Sequence, residues 1–378
     1  MLFKKLILLI LTALLSSLTA CGDMYSAAYE DMRVSTRSFA YATVGNSIYS
    51  YSISSDGSLT QIGGPITEST ALNRIGVHPS GDYIYVAQTW YVQCYKVRDD
   101  GSLVRIKSED ITSNGFDTYN ISMSRTGRFL YAAGRGSGNM NYINILKILP
   151  DGTADEIGYK FLNTNCRNIL VNPDETRLFV ATHSNSNVNN ITSYRISEDG
   201  TLSDSVDDTK LFSIGSDDPM GIAIDTSGNY LYYSHRGSDT ITILEILPDG
   251  SLDDASVADF TSTGSFNELT MHPSGKYLLG ITYWDWDNPN KSSSFGMFSD
   301  YTLYHISDNF SFPDSEQRYM ALHPDLEYAY VTDNGTHKML VCYNLEPGGQ
   351  LTFNHIAAQY TDEPCDVKIC RKTVFGGR

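Results

Sequence analysis

The sequence predicts an all-β chain, folded as a seven-bladed β-propeller of four-stranded blades. Three observations predict it. First, a turn unit, Val77-His78-Pro79-Ser80-Gly81-Asp82-Tyr83-Ile84-Tyr85-Val86, returns as Met271-His272-Pro273-Ser274-Gly275-Lys276-Tyr277-Leu278 and more loosely elsewhere. Seven copies align, with His78 matched by Ser124, Asn172, Asp225, His272, His323 and Cys370, at spacings of 46, 48, 53, 47, 51 and 47 residues. A supersecondary unit recurring at such a period marks a repeat architecture. Second, apolar residues alternate at period two on both sides of each turn, the pattern of a strand. Third, Asp-Gly pairs recur between apolar runs, a strong hairpin signal that is read here as type I′ turns with positive φ at both residues.

Taken in order, the chain opens on a targeting segment. Lys4 and Lys5 precede the apolar run Leu6 to Leu15, and small residues lead to Cys21. Residues 1–20 therefore read as a secretory signal, too short for a stable membrane span. Residues 21–38 are polar and aperiodic and read as a tether to a propeller at 39–378. The first blade starts part-way, with Phe39–Val44 as its second strand, Ile48–Ile53 as its third and Leu59–Ile62 as its fourth. In each later blade the inner strand carries apolar residues one and three places before the turn, from Ile75/Val77 through Ile121/Met123, Ile169/Val171, Ile222/Ile224, Leu269/Met271 and Met320/Leu322 to Val367/Ile369. Between these pairs sit Gly76, Ser122, Leu170, Ala223, Thr270, Ala321 and Lys368, mostly small, as an axis crowded by seven strands requires.

Second strands follow at Tyr83–Val86, Phe129–Ala132, Leu178–Val180, Tyr230–Tyr233, Tyr277–Leu279 and Tyr328–Val331. Third strands include Val92–Val97, Ile143–Ile148, Ile191–Ile196, Thr240–Ile246 and Leu340–Leu345. Hairpins to the outer strand are expected at Asp56-Gly57, Asp100-Gly101, Asp151-Gly152, Asp199-Gly200 and Asp249-Gly250, with Asp308-Asn309-Phe310 in blade six and Gly348-Gly349 in blade seven. The last stretch, Asp366–Ile369, reads as an inner strand, so the C-terminal strand closes the N-terminal blade and leaves no exposed inner edge.

Composition narrows the function. Aromatics make up 12%, with 26 tyrosines, and charged residues only 19%, which suits an ordered β-rich body. The formal charge of -17, which becomes -19 if Lys4 and Lys5 are cleaved away, argues against nucleic acid as a partner. Five cysteines remain besides Cys21, namely Cys94, Cys166, Cys342, Cys365 and Cys370, and an odd number leaves their pairing open. No Cys/His cluster with zinc spacing, P-loop, GxSxG elbow or HExxH motif occurs, and neither a metal nor a cofactor is expected. Gly134-Arg135-Gly136-Ser137-Gly138 precedes no helix and so does not read as a phosphate loop.

The His-Pro-Ser-Gly, Tyr-Ile-Tyr-Val and Asp-Gly-Ser-Leu elements resemble the lactonase family of seven-bladed propellers, which includes 6-phosphogluconolactonase and fungal muconate-lactonising enzymes. The likeness spans about residues 39 to 378, and Tyr330-Val331-Thr332-Asp333 also resembles repeats of surface-layer propellers. It implies a His and two Arg at inner-strand starts. Arg167 and Arg318 occupy that register, whereas Tyr119 and Arg167 stand where the His is sought. Separately, Leu18-Thr19-Ala20-Cys21 resembles the lipobox of bacterial lipoproteins, which implies cleavage before Cys21 and lipidation of its sulfur. The expected location is the bacterial cell envelope, lipid-anchored, with the outer membrane or cell surface favoured because no Asp follows Cys21.

Topology puts the inner-strand starts and the loops between second and third strands on one face, and the Asp-Gly hairpins on the other. Four and five places before the turn stand Asn73/Arg74, Tyr119/Asn120, Arg167/Asn168, Met220/Gly221, Asn267/Glu268, Arg318/Tyr319 and Cys365/Asp366. This ring is either a polar pocket for a small anionic or hydroxylated ligand, built on Arg74, Tyr119, Arg167, Glu268 and Arg318, or a set of mutually paired charges along a wet channel. If the chain is a lactone hydrolase, Glu268 or Asp366 is the candidate base, with Arg167 and Arg318 stabilising the oxyanion.

Trp90 and a long loop in blade six, read as running from Tyr283 through Trp284 and Trp286 to about Ser299, offer aromatic anchors for a ligand or partner, or packing for a lid. His78, His272 and His323 are expected to be structural, and His183, His235 and His337 to be surface residues of the loop face. The expectation is thus a monomeric, lipid-anchored envelope propeller that binds a small molecule or an envelope protein, the alternative being an extracytoplasmic lactonase.

Overall fold

A computed structural model describes residues 34–88, 91–110, 117–135, 140–162, 164–183, 189–203, 209–215, 218–236, 239–253, 260–261, 266–282, 291–310, 316–323 and 328–375. The chain forms two compact units. The smaller comprises residues 1–37 and 372–378, of which 34–37 and 372–375 are described, the ends of the strands Val34–Val44 and Pro364–Phe375. The signal segment, Cys21 and most of the tether lie outside the described residues. The larger unit, residues 38–371, is the seven-bladed propeller.

Seven antiparallel sheets make up the ring. For blades two to seven the inner strands are Leu72–Val77, Asp117–Met123, Asn165–Val171, Asp218–Ile224, Phe266–Met271 and Gln317–Leu322. Blade one takes its inner strand, Pro364–Phe375, from the end of the chain, where it lies beside Val34–Val44. The closure expected from the two ends is therefore present, and Val34–Val44 begins five residues earlier than its apolar alternation indicates. Outer strands in blades one and five are broken into two short pieces.

Seven apolar cores hold the described part of the ring, one between each pair of neighbouring blades. Alternation explains this: odd and even residues of one strand face different neighbours, so each blade contributes to two cores. A second contact repeats around the ring. Tyr41, Tyr85, Tyr131, Tyr232 and Tyr330 stand in second strands, and each donates its buried hydroxyl to the hairpin carbonyl of the next blade. The acceptors are the carbonyls of Gly101, Gly152, Gly200, Tyr301 and Gly57, at 2.8–3.1 Å. Phe179 takes the matching place in blade four and makes no such bond.

The turn after the inner strand works as its sequence implies. His78 Nδ1 accepts the Ser80 N–H at 3.2 Å, and His272 Nδ1 accepts the Ser274 N–H at 3.2 Å. Asp225, Asn172 and Ser124 likewise accept backbone N–H groups within the turn, which is why these residue types exchange freely with His. The hairpins differ from type I′. Gly57, Gly101, Gly152, Gly200 and Gly250 have φ between 80° and 90°, whereas the preceding Asp residues are absent from the positive-φ set. Each Asp instead accepts the N–H and hydroxyl of the residue two places on, as Asp151 does with Thr153 at 3.0 and 2.7 Å. One glycine in the left-handed region then suffices to start the outer strand.

Blade six corrects two expectations. Its hairpin is not at Asp308-Asn309-Phe310, which belongs to the outer strand Leu303–Phe310, but at Asp300-Tyr301. Tyr301 holds φ at 65° where other blades have glycine, and stacks on Tyr230 with ring centroids 4.1 Å apart. The long loop also ends before Ser299, because Lys291–Met297 is the third strand. Trp284 and Trp286, like Trp90, lie outside the described residues. Cys94, Cys166, Cys342, Cys365 and Cys370 are all free thiols.

Candidate functional site

Regular alternation would send adjacent residues of an inner strand to opposite sides. Instead, the inner strands of blades two to seven each slip register near their starts, at Leu72/Ile75, Asn120/Thr118, Cys166/Asn168, Pro219/Ile222, Phe266/Glu268 and Gln317/Met320. A bulge lets two consecutive side chains approach the same space. Arg167 with Asn168, Asn267 with Glu268 and Arg318 with Tyr319 accordingly line one cavity of about 440 Å³ at the loop-face mouth. Arg74 and Arg135 join them, so among the described lining residues four arginines stand with one carboxylate, Glu268. A second chamber of about 320 Å³ lies along the inner strands, lined by Ser122, Thr270 and Lys368 among others, and shares Arg74, Asn168 and Glu268 with the first.

Arg74 is buried where the two spaces meet. Its Nη2 donates to Glu268 Oε2 at 3.1 Å, Nη1 stands 3.6 Å from Asp366 Oδ1, and its guanidinium carbon lies 3.5 Å from the Tyr319 ring centroid. Burial works against its charge, but Tyr319, Glu268 and Asp366 outweigh it and hold the guanidinium protonated. Tyr319 is drawn down by Arg74, yet burial together with Glu268 and Asp366 leaves its phenol above the ordinary range.

The ring therefore both pairs and converges. Arg74 is paired across the axis, and Arg167, Arg318 and Arg135 reach the same mouth cavity, with Arg318 Nη2 3.8 Å from Glu316 Oε2 and 4.0 Å from Glu363 Oε2. Arg318 is steered by Asn334, whose amide oxygen, in the orientation that satisfies its neighbours, accepts from Nε at 2.9 Å and Nη1 at 3.2 Å. Glu268 uses Oε2 for Arg74, and Oε1 makes no hydrogen bond to any described residue.

Asp366 has a different role from Glu268. It is fully buried, accepts the N–H of Ile75 and of Val367, each at 2.9 Å, and lies 3.7 Å from Lys368 Nζ. Each of its oxygens thus accepts one backbone N–H at the seam between the closing strand and blade two. Tyr119 belongs to the strand Asp117–Met123 at the expected register, but its side chain is outside the described set. His235 is buried, with Nε2 2.8 Å from Thr242 Oγ1, and His337 is exposed. Neither they nor His183 line the mouth cavity, and no cluster of metal-binding side chains occurs among the described residues. Sequence reasoning missed Arg135, which read as part of a polar loop. It ends the strand Phe129–Arg135, paired with Asp117 at the start of the inner strand, and that pairing brings it to the mouth.

Residues 91–216 match the family model described as lactonase, 7-bladed beta-propeller. The chain is a seven-bladed propeller, similar over that stretch to the lactonase family. Its backbone superposes on the periplasmic gluconolactonase of Pseudomonas aeruginosa with a TM-score of 0.70 and 15% identity, covering 89% of this chain and 99% of that one. A candidate 6-phosphogluconolactonase from Bacteroides fragilis gives 0.70 and 15%, over 89% and 98% of the two chains. A protein of unknown function from Desulfotomaculum acetoxidans gives 0.69 and 13%, over 88% and 98%. At such identities the likeness is one of fold. Comparison with curated protein sequences finds no match.

Proposed function

We propose that this lactonase-like propeller binds a small hydroxylated anion, such as a sugar acid, in its mouth cavity. The observation that carries the reading is four arginines around one space with one carboxylate among its described lining residues, in a chain whose net charge is -17. A guanidinium can engage a carboxylate bidentately, and a walled cavity strengthens that attraction relative to open water. Asn165, Asn168 and Asn267, together with Glu268 Oε1, supply partners for hydroxyl groups. The test is calorimetric titration with a panel of aldonates, uronates and their neutral parent sugars. Arg167→Ala or Arg318→Ala is expected to weaken binding of the best anion by at least ~10-fold, one charge-assisted contact being worth about 1.5–3 kcal/mol. Equal affinity for anions and neutral sugars would overturn the reading.

A second reading, hydrolysis of a sugar lactone, is favoured by the free oxygen of Glu268 between Arg74 and the cavity. There Oε1 would take a proton from water as the oxygen attacks the lactone carbonyl. An arginine would hold the oxyanion until the ring C–O bond breaks and the alkoxide is protonated. No histidine lines the described part of the cavity. Lactone turnover abolished by Glu268→Gln would support this reading, and no hydrolysis above buffer across a lactone panel would remove it.

Export and attachment by lipid on Cys21 in the bacterial envelope, with the outer membrane or cell surface favoured, complete the proposal, supported by the leader and the Leu18–Cys21 run. Cys21→Ser is expected to abolish labelling by an alkyne fatty acid in the producing bacterium. Labelling that persists would exclude this attachment.

A further inference from the structure

A polar group held away from water needs a partner, and a buried charge needs one most. The chamber of about 320 Å³ along the inner strands departs from this rule. Arg74 reaches it with a side chain only 9% exposed, and of its nitrogens only Nη2 makes a hydrogen bond, to Glu268. Nε and Nη1 are buried and meet no acceptor among the described residues. Nη1 is turned to the chamber side, because the carboxylate beside it, Asp366, lines this chamber and not the mouth.

Lys368 approaches the same point from the closing strand. Its Nζ lies 3.7 Å from Asp366 Oδ1, and Arg74 Nη1 lies 3.6 Å from that same atom, both beyond hydrogen-bonding reach. Each oxygen of Asp366 already accepts a backbone N–H. Ser122 Oγ accepts the Val171 N–H at 3.0 Å and keeps its own proton to donate, and Thr270 adds a second hydroxyl to the lining. The chamber is therefore rich in donors and poor in acceptors. Charge runs the same way: across the two cavities, Arg74, Arg135, Arg167, Arg318 and Lys368 stand against Glu268 and Asp366 among the described lining residues, five cations to two carboxylates. One anion at the mouth leaves positive charge unbalanced behind it.

We propose that the axial chamber is a site for a small monovalent inorganic anion, of the halide or nitrate class, held by Arg74 Nε and Nη1 together with Lys368 Nζ. The walls select the single charge. Ile121, Ile169, Ile222 and Leu269 line them, and the cost of moving an ion from water into such surroundings grows with the square of its charge. A dianion such as sulfate therefore loses more hydration than the site returns. The bound ion links blade two, which carries Arg74, to the closing strand, which carries Lys368. This site lies apart from the three mouth arginines, and the inference does not depend on what the mouth takes.

The test titrates chloride into the full-length chain in detergent at constant ionic strength and reads the width of the chloride NMR line. Saturable excess broadening is expected, reversed by bromide or nitrate and not by sulfate. Lys368→Met, at a side chain 33% exposed, is expected to keep a cooperative melt and to weaken chloride binding at least ~10-fold, the loss of one charge-assisted contact. Thr270→Val, which keeps the shape and removes a neutral donor, is expected to weaken it about threefold and carries the comparison if Lys368→Met does not fold. Arg167→Ala at the mouth and Lys96→Met on the exposed face of blade two are expected to bind chloride as the parent does. No saturable broadening in the parent chain, broadening unchanged in both Lys368→Met and Thr270→Val, an equal loss in Arg167→Ala, or displacement by sulfate as readily as by nitrate would each overturn the proposal.

Discussion

Arg74 keeps its charge in a buried position because two carboxylates and an aromatic ring surround it. Removing it would strand Glu268 and the fully buried Asp366, so Arg74→Ala is expected to destabilise the fold by about 3–5 kcal/mol in urea unfolding. Arg167→Ala and Arg318→Ala, whose side chains line the mouth cavity, are expected to weaken anion binding with little change in stability. A second residue-scale prediction concerns pH. Burial, with Lys276 nearby, holds His272 below the ordinary imidazole range, and burial does the same for His78. Below about pH 6.5 the unfolded chain takes up protons that these folded turns refuse. The contribution of these two turns to stability therefore rises with pH up to about 6.5 and levels off above it. His272→Asn, which keeps a turn acceptor as Asn172 does, is expected to flatten part of that slope in denaturation curves taken on either side of this pH. The position of each of these residues was legible from the turn alignment. That Arg74 is paired and Asp366 bound into the seam was not, since both facts depend on partners 194 and 291 residues away.

Among the elements, the hairpin and the second strand work as a pair across blades. The tyrosine seven places after the turn position, as in His78 to Tyr85, was visible in the alignment as a strand aromatic. Its hydroxyl partner was not, because the acceptor belongs to the next repeat. Tyr85→Phe leaves the Gly152 carbonyl without its donor and is expected to cost about 1 kcal/mol. Gly152→Ala should be worse. Its φ is 83°, and an added Cβ would stand 2.1 Å from the Tyr83 ring. A cost of about 2–4 kcal/mol follows from a left-handed alanine together with overpacking, measurable by thermal or urea unfolding. Blade six shows the limit of motif reading. Asp300-Tyr301 carries out the turn that Asp-Gly performs elsewhere, and the tyrosine's strain is offset by its stack on Tyr230, a contact between repeats.

At the scale of the whole molecule, closure of the ring joins the two ends of the chain. Pro364–Phe375 supplies the inner strand of blade one, and Asp366 accepts the N–H of Ile75 in blade two. Deleting residues 364–378 would expose inner strand edges and the apolar core shared by blades seven and one, including Val367. The truncated chain is expected to aggregate and to lose cooperative unfolding by calorimetry, whereas loss of a surface loop would not have that effect.

Period, strand alternation, turn chemistry and the placing of the two ends are local or repeated properties. Sequence alone therefore determined the all-β class, the seven blades, the closing strand and the register at which polar side chains gather. Tertiary structure decided what those side chains do. Bulges at the inner-strand starts turned neighbouring residues toward one cavity, and the ring set Arg74 against Glu268 from blades far apart in the chain. Such pairings rest on distances around a closed circle, which no pattern within a single repeat encodes.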